Sequence, residues 1–521
     1  MSKVNPLDLA MIALENSNRQ FHMTAWMLFE KPAGQRDTFV PRLLDAYRNS
    51  EASAPFNQRL VWKGRTAAEW ETVEPDMNYH VRHLAVAPPG TLQQFYELVS
   101  FLNTPLLDRA YPLWDCHIID GLENDQFAVM VRVHHALMDG EGGMKAFRNA
   151  LSDRPADRNI GAFWQPRPRK ASRNRARATR AQGNNLLSRL SSLSSGAVDM
   201  ATGMVKLGAE SLQKGRPSSG LTGAASRTVF NVTARSSARR YANCELPLER
   251  VKAVAKTTGC TVNDVGMTVI DHALHRYLAE VGQAVDTPLS VLMPLSFRDD
   301  DKATGANQVS LDVVTLGDPG ADLLERLQQV NEAAHAVKAR TRQLPIAFRQ
   351  LYSVFIAGRA TLLPDLSPLF NEVPVANLLI SNMAGPQEQL YLGGARLAAF
   401  HGLPIVPPGV GLNVTFSSVN KDICLGVGTL PEAMSNPFHL TQLIQEAFTE
   451  LEQRVLGKRA AQRRRKVSRK KAATRSKAAP RKKAAPRKKA SGEKTATRKK
   501  ASGKKTATRT KAAGAGRANR K

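Results

Sequence analysis

Apolar side chains recur at steps of three and four in "TLQQFYELVSFL" (Thr91 to Leu102), a helical spacing. The pattern then changes. "LWDCHIIDGL" and "QFAVMVRV" read as strands, with "ENDQ" as the turn between them. Further along, "PLERVKAVAKTTG" puts Pro near a helix start and Gly at its end. "TVNDVGMTVIDHALHRYLAEVG" opens with polar Thr261, Asn263 and Asp264 and continues as a long amphipathic helix. "LSVLMPLSF" and "VSLDVVTL" read as strands, "LLERLQQVNEAAHAVKAR" as a helix, "NLLISN" as a buried strand and "FHLTQLIQEAFTELEQRVL" as the last helix. Helices and strands alternate in both halves, which predicts an α/β class.

Two breaks interrupt this pattern. Between Arg167 and Arg189 there are eight basic residues and no acid, so this stretch cannot bury a core and reads as a linker. Leu186, Leu190, Leu193, Ala197, Met200, Met204 and Leu207 then form an apolar stripe on a predicted helix. The second break follows Gly457. The segment 458–521 holds 28 of the chain's 74 Lys and Arg and one of its 45 acids, Glu493. It also repeats itself: "AAPRKK" occurs twice, and "KKASGEKTATR" returns as "KKASGKKTATR". The expected organisation is therefore a first lobe over 1–152, a basic linker and amphipathic helix over 153–228, a second lobe over 229–457, and a disordered basic tail over 458–521.

The formal charge of +29 thus belongs almost wholly to the tail. The rest of the chain is close to neutral, which argues against a basic nucleic-acid-binding body. An apolar content of 42% supports a substantial core. Cys116, Cys244, Cys260 and Cys424 are not at metal-ligand spacing and are too few to staple a chain of 521 residues, which fits a reducing, intracellular setting. "MSKVNPLDLAMIALENSN" lacks the features of a signal peptide, and no apolar run reaches transmembrane length. Any action at a membrane is expected from its surface.

The chemistry gathers in "VRVHHALMDGEGG" (Val131 to Gly143). Strand alternation puts Phe127, Val129, Val131, Val133 and His135 on one face, and Ala128, Met130, Arg132 and His134 on the other. His135 continues the more apolar face, where an imidazole stays neutral and can accept a proton. Asp139 lies past the strand end, and the glycines from Gly140 onward permit a tight turn before a helix-like segment. The plain alternative is a polar strand end without chemistry. The spacing does not match a zinc motif, and no Gly-x-Ser-x-Gly elbow supports a serine hydrolase, so no metal or cofactor is expected.

"HHALMDG" resembles the His-His-x-x-x-Asp-Gly motif of the CoA-dependent acyltransferase superfamily, which includes chloramphenicol acetyltransferases, peptide condensation domains and bacterial wax ester synthase/diacylglycerol acyltransferases. "YPLWDCHIIDGL" resembles the Pro-Leu-Trp segment ahead of the motif in the last of these families, "TVNDVGMTVIDHALHRYL" its Asn-Asp helix, "MPLSFRDD" its Pro-x-Ser-x-Arg strand, and "GANQVS" and "SNMAGP" its Gly-Asn and Asn-x-x-Gly-Pro segments, in order as far as about Leu456. The resemblance implies two chloramphenicol-acetyltransferase-like α/β lobes with a cleft between them. It implies acyl-CoA as a substrate, with a long-chain alcohol or diacylglycerol as acceptor. His135 would be the general base, His134 supportive, and Asp139 a turn-holding residue paired with Arg298. Asn263 and Asp264 would cap a helix or support the cleft rather than do chemistry.

Two other readings stay open. One is a condensation-type amide or ester synthase of the same superfamily. The other is a polyanion-binding protein acting through its tail, with nucleic acid or anionic lipid as partner. The expected location is cytoplasmic, with peripheral attachment to a membrane or lipid inclusion.

Overall fold

A computed structural model describes residues 2–165 except 65, 66 and 139, and residues 225–457 except 298–307, 345, 362–373, 384, 387, 404, 408 and 420. The basic linker, the apolar stripe 186–207, the tail, Asp139 and Arg298 lie outside the described residues.

A small sheet is formed by β1 (Ser2–Lys3), β3 (Gln58–Trp62) and β4 (Ala68–Thr72). A first large sheet contains β2 (His22–Glu30), β5 (Val81–Ala85), β6 (Trp114–Leu122), β7 (Gln126–His134), β12 (Tyr391–Leu392) and β13 (Ala395–Leu403). Their spatial order is β12-β13-β2-β7-β6-β5. A second large sheet, in the order β10-β9-β11-β14-β15-β8, is built from β8 (Arg240–Pro247), β9 (Ser290–Phe297), β10 (Gln308–Thr315), β11 (Leu378–Met383), β14 (Leu412–Val419) and β15 (Asp422–Thr429). Both large sheets are mixed. β5 runs parallel to β6, and β11 runs parallel to both β9 and β14.

Local chemistry explains most element ends. Thr91 opens the helix Leu92–Leu102 with a capping box: Gln94 N donates to Thr91 Oγ1 at 3.2 Å and Thr91 N donates to Gln94 Oε1 at 2.9 Å. The helix Leu248–Thr258 stops where Gly259 turns left-handed at φ 76°. The β6–β7 hairpin turns through Asn124 and Asp125, both at positive φ, a region these two residue types tolerate better than most.

β7 is apolar on both faces. Phe127, Val129, Val131 and Val133 pack into one core with Trp114 and Phe29, while Ala128 and Met130 pack with Trp26, Phe95 and Tyr96 on the other side. The second sheet has its own core, in which Ile270, Leu274, Val414 and Phe448 are fully or almost fully buried.

The two halves of the chain, expected to divide at residue 229, share a sheet. β13 comes from the second half of the chain, yet it pairs antiparallel with β2 from Arg396↔Glu30 to Leu403↔Thr24. Its sequence alternates as any strand does; its destination is fixed by an edge that only the folded first sheet offers. All the described residues accordingly fall within one compact unit.

The helix Val262–Glu280 lies against β14 with little clearance. A Cβ on Gly266 would sit 2.3 Å from the Phe416 ring, which is itself buried. In an exposed helix Gly→Ala is stabilising by roughly 1 kcal/mol. Here the sign should reverse: Gly266→Ala is expected to cost about 1–3 kcal/mol by overpacking. Chemical denaturation would show this, and Phe416→Leu in the same chain should recover part of the loss.

Candidate active site

The double histidine stands where β7 ends. His134 is the last residue of the strand and is fully buried; His135 begins the turn and is half-buried. Three backbone bonds fix this point. His134 N donates to Leu113 O at 2.9 Å, His135 N donates to Phe21 O at 2.9 Å, and Leu137 N donates back to His134 O at 2.9 Å. The ladder between β2 and β7 therefore runs one bond beyond the strand, and the turn closes directly on it. The helix Gly140–Ala150 follows.

The His134 ring is held on both sides. Ala136 N donates to Nδ1 at 3.0 Å, so in the neutral ring the proton is on Nε2. Nε2 faces Glu15 Oε1 at 3.4 Å, the range of a long ion pair rather than a well-aligned hydrogen bond. Glu15 is buried and caps the helix Pro6–Leu14. Burial alone would raise its pKa; contact with His134 and a bond from Phe21 N outweigh it and hold the carboxyl below its usual range. Asp8, on the same helix, behaves in the opposite way. Burial pushes it up to about 6.

Two buried polar groups support β7 from its neighbours. Arg132 Nε donates to Asp115 Oδ1 at 2.9 Å and its Nη1 donates to Pro105 O at 2.6 Å. Desolvation would raise the Asp115 pKa, but the guanidinium and His117 hold it far below the usual carboxylate range. His22, opposite His134 in the β2–β7 register, is lowered to about 4 by burial and by the Arg132 charge, so it is neutral.

Beside His22 the two large sheets meet through polar bonds. His22 Nε2 lies 3.1 Å from Asn103 O, and Asn103 Nδ2 donates to Tyr241 Oη of β8 at 2.5 Å. Gln20 Nε2 reaches Thr104 O and Ser237 O, and Arg239 Nη2 donates to Asn18 O at 2.7 Å.

The other predicted residues lie elsewhere in the fold. Thr261 caps the helix Val262–Glu280, and Asp264 completes its capping box: Asp264 N donates to Thr261 Oγ1, and Thr261 N donates to Asp264 Oδ2 at 2.8 Å. Asn331 Nδ2 also donates to that oxygen at 2.7 Å. Asn263 accepts from Asn382 of β11 at 2.8 Å, which joins "TVND" to "SNMAGP". One described group offers metal-ligand atoms, Glu245, His401 and Cys424, all within 4.8 Å of one another. Its three donors, one on a half-exposed glutamate, fall short of the four in a closed structural zinc site.

Glu15, Asp115 and His22 were not among the predicted site residues. An acid ending an otherwise apolar helical stretch was a signal for Glu15, but its partner is distant in sequence and only strand register brings them together.

A fold of two mixed sheets joined by a crossing strand, with His-His-x-x-x-Asp-Gly at the end of a central strand, is that of the CoA-dependent acyltransferases. The first condensation domain of the calcium-dependent antibiotic synthetase shares it at TM-score 0.52 and 14% identity, over 87% of this chain and 95% of that one. Residues 4–266 match the wax ester synthase/diacylglycerol acyltransferase catalytic domain and residues 305–452 match the C-terminal domain of the same family; the chain belongs to that family. It is 49% identical over 459 residues to the probable diacylglycerol O-acyltransferase Tgs4 of Mycobacterium tuberculosis, covering 87% of this chain and 97% of that protein. It is 31% identical over 469 residues to the probable diacylglycerol O-acyltransferase tgs2 of the same species, covering 87% of this chain and all of that one. A solved wax ester synthase/diacylglycerol acyltransferase from Marinobacter aquaeolei VT8 superimposes at TM-score 0.68 with 25% identity, over 87% of this chain and 100% of that one.

Arg132→Ala would leave Asp115 in the core without its guanidinium partner and with only His117 beside it. Loss of one partner of a buried pair costs about 3–5 kcal/mol. The expected result in urea unfolding is a loss of that size, largely recovered by the double replacement Arg132→Met/Asp115→Asn.

Proposed function

We propose that the chain moves a fatty acyl group from acyl-CoA to the hydroxyl of a long-chain alcohol or diacylglycerol, with His135 as general base. The observation that carries this assignment is the unequal state of the two histidines. His134 already uses Nδ1 to accept from Ala136 N and turns its protonated Nε2 towards Glu15. It cannot take a proton from a substrate without releasing the turn. His135 stands at the start of that turn, half-buried rather than sealed in the core.

In the reaction, His135 takes the hydroxyl proton as the alcohol oxygen attacks the thioester carbonyl. The C–O bond forms, the C–S bond breaks, and the imidazolium returns the proton to the departing CoA thiolate. The products are the ester and free CoA, with no acyl-enzyme. The family motifs give Asp139 the role of holding the turn, with Arg298 as its partner, and both lie outside the described residues; Gly140 begins the helix that follows. Asn263 and Asp264 support the second sheet.

Purified protein with palmitoyl-CoA and hexadecanol or diacylglycerol, followed by free-thiol release, tests this. His135→Ala should lower turnover by roughly 10²–10⁴ at unchanged melting temperature, the usual loss on removing a general base. Wild-type turnover without His135 would sink the assignment.

Among the described residues no helix is long and apolar enough to cross a membrane. The substrates are insoluble, so the protein must meet a lipid interface. The Leu/Met stripe over 186–207 beside its basic linker suits an anionic surface, and peripheral attachment to a membrane or lipid inclusion follows from that composition.

The tail over 458–521 governs location rather than turnover. Its 28 cationic residues favour polyanions through counterion release, and it lacks the aromatic and leucine anchors of a lipid-held segment, which favours nucleic acid. Deleting it should leave turnover on short-chain substrates intact and abolish DNA binding at low salt in a mobility-shift assay. Lost turnover, or DNA binding as tight as before, would show that this role is wrong.

A further inference from the structure

Glu15 reaches both sides of the proposed base through one neighbour on each side. Its Oε1 accepts from Phe21 N at 3.1 Å, and Phe21 O in turn accepts from His135 N at 2.9 Å. The same oxygen faces His134 Nε2 at 3.4 Å, and His134 Nδ1 accepts from Ala136 N at 3.0 Å. One carboxylate therefore reaches the backbone N–H of His135 through Phe21 and the backbone N–H of Ala136 through the His134 ring. These are the two N–H groups that flank the Cα of His135.

The carboxylate is itself braced. Glu15 N donates to Met11 O at 3.0 Å, and the turn after it closes with Asn16 N to Arg19 O at 3.0 Å. Arg109 Nη2 donates to Ile12 O at 2.6 Å and lies 3.4 Å from Glu15 Oε2. The side chains of Glu15 and His134 are 2% and 0% exposed, so water cannot stand in for either partner.

We propose that Glu15 is a positioning residue for acyl transfer: it holds His134 as its Nε2–H tautomer and thereby sets the backbone that aims His135. The proposal rests on His135 being the base. A tautomer flip of His134 would put a proton on Nδ1 against the Ala136 N–H, a donor facing a donor, and would push the turn outward. A shift of about 1 Å at a reacting group costs on the order of 10² in rate.

The test uses full-length Glu15→Ala, Glu15→Gln, His134→Ala, His135→Ala and the double variant Glu15→Gln/His134→Ala, with palmitoyl-CoA and hexadecanol. Glu15→Ala should lower kcat roughly 10²-fold with KM for palmitoyl-CoA unchanged. Glu15→Gln keeps an acceptor oxygen in the same place and should recover most of that loss. The residual losses of Glu15→Gln and His134→Ala should not multiply in the double variant, because they act through one contact. If Glu15→Ala fails to fold, the Gln variant and the double-mutant cycle still decide. Wild-type kcat in both Glu15 variants, or losses that multiply in the cycle, overturns the proposal. If His135→Ala is inactive while the Glu15 variants are normal, only the positioning role fails. If His135→Ala turns over normally, the base assignment fails and the positioning role fails with it.

Discussion

The ladder between β13 and β2 is the contact on which the arrangement depends. It brings a strand from the second half of the chain into the first sheet, from Arg396↔Glu30 to Leu403↔Thr24. β2 in turn pairs with β7 along its whole length, from Glu30↔Gln126 to His22↔His134. The second half of the chain thus lies two strands from the histidine turn. Without β13, β2 would be a sheet edge, and the strand that directly follows Phe21, whose carbonyl accepts from His135 N, would be held on one side only.

A second constraint follows from where the turn lies. β7 is buried on both faces, so its polar residues can be tolerated only at its end and only if each is bonded. Arg132 meets Asp115 and Pro105 O, while His134 meets Ala136 N and Glu15. Replacing such a pair by apolar side chains is often neutral or stabilising in other proteins, so its presence is poor evidence for stability alone. What these pairs do supply is direction, because each fixes a ring or a guanidinium against backbone that leads to His135.

Much of the fold was legible in the sequence because it rests on short-range chemistry. The Thr91 capping box, the Gly259 stop, the hairpin through Asn124 and the helix behind Thr261 all depend on residues within four positions of one another. The α/β class and the family followed from motifs in order. Strand alternation also separated His134 from His135, but it could not say which would be sealed: that is decided by Glu15 and Phe21, brought in from β2 and the helix before it. The crossing of β13 was illegible for the same reason. "ARLAAFHGL" reads as a strand wherever it goes, and its partner is chosen by a sheet edge that exists only after folding. Asp139 and Arg298 remain expectations drawn from the family motifs.

Acceptor choice is a separate matter from the histidine turn. A condensation domain with 14% identity has this fold, and a wax ester synthase/diacylglycerol acyltransferase with 25% identity has it too. Fold alone therefore says little about whether an amine or an alcohol is acylated. A base that removes one proton serves either nucleophile. Discrimination has to come from surfaces that the acceptor meets before it reaches that base. In this chain the polar seam of Gln20, His22, Asn103, Arg239 and Tyr241 adjoins His134 through the β2–β7 register: His22 meets Asn103 and Asn103 donates to Tyr241, while Gln20 and Arg239 donate to the backbone carbonyls of Thr104, Ser237 and Asn18. A seam so bonded ties the two sheets together beside His134.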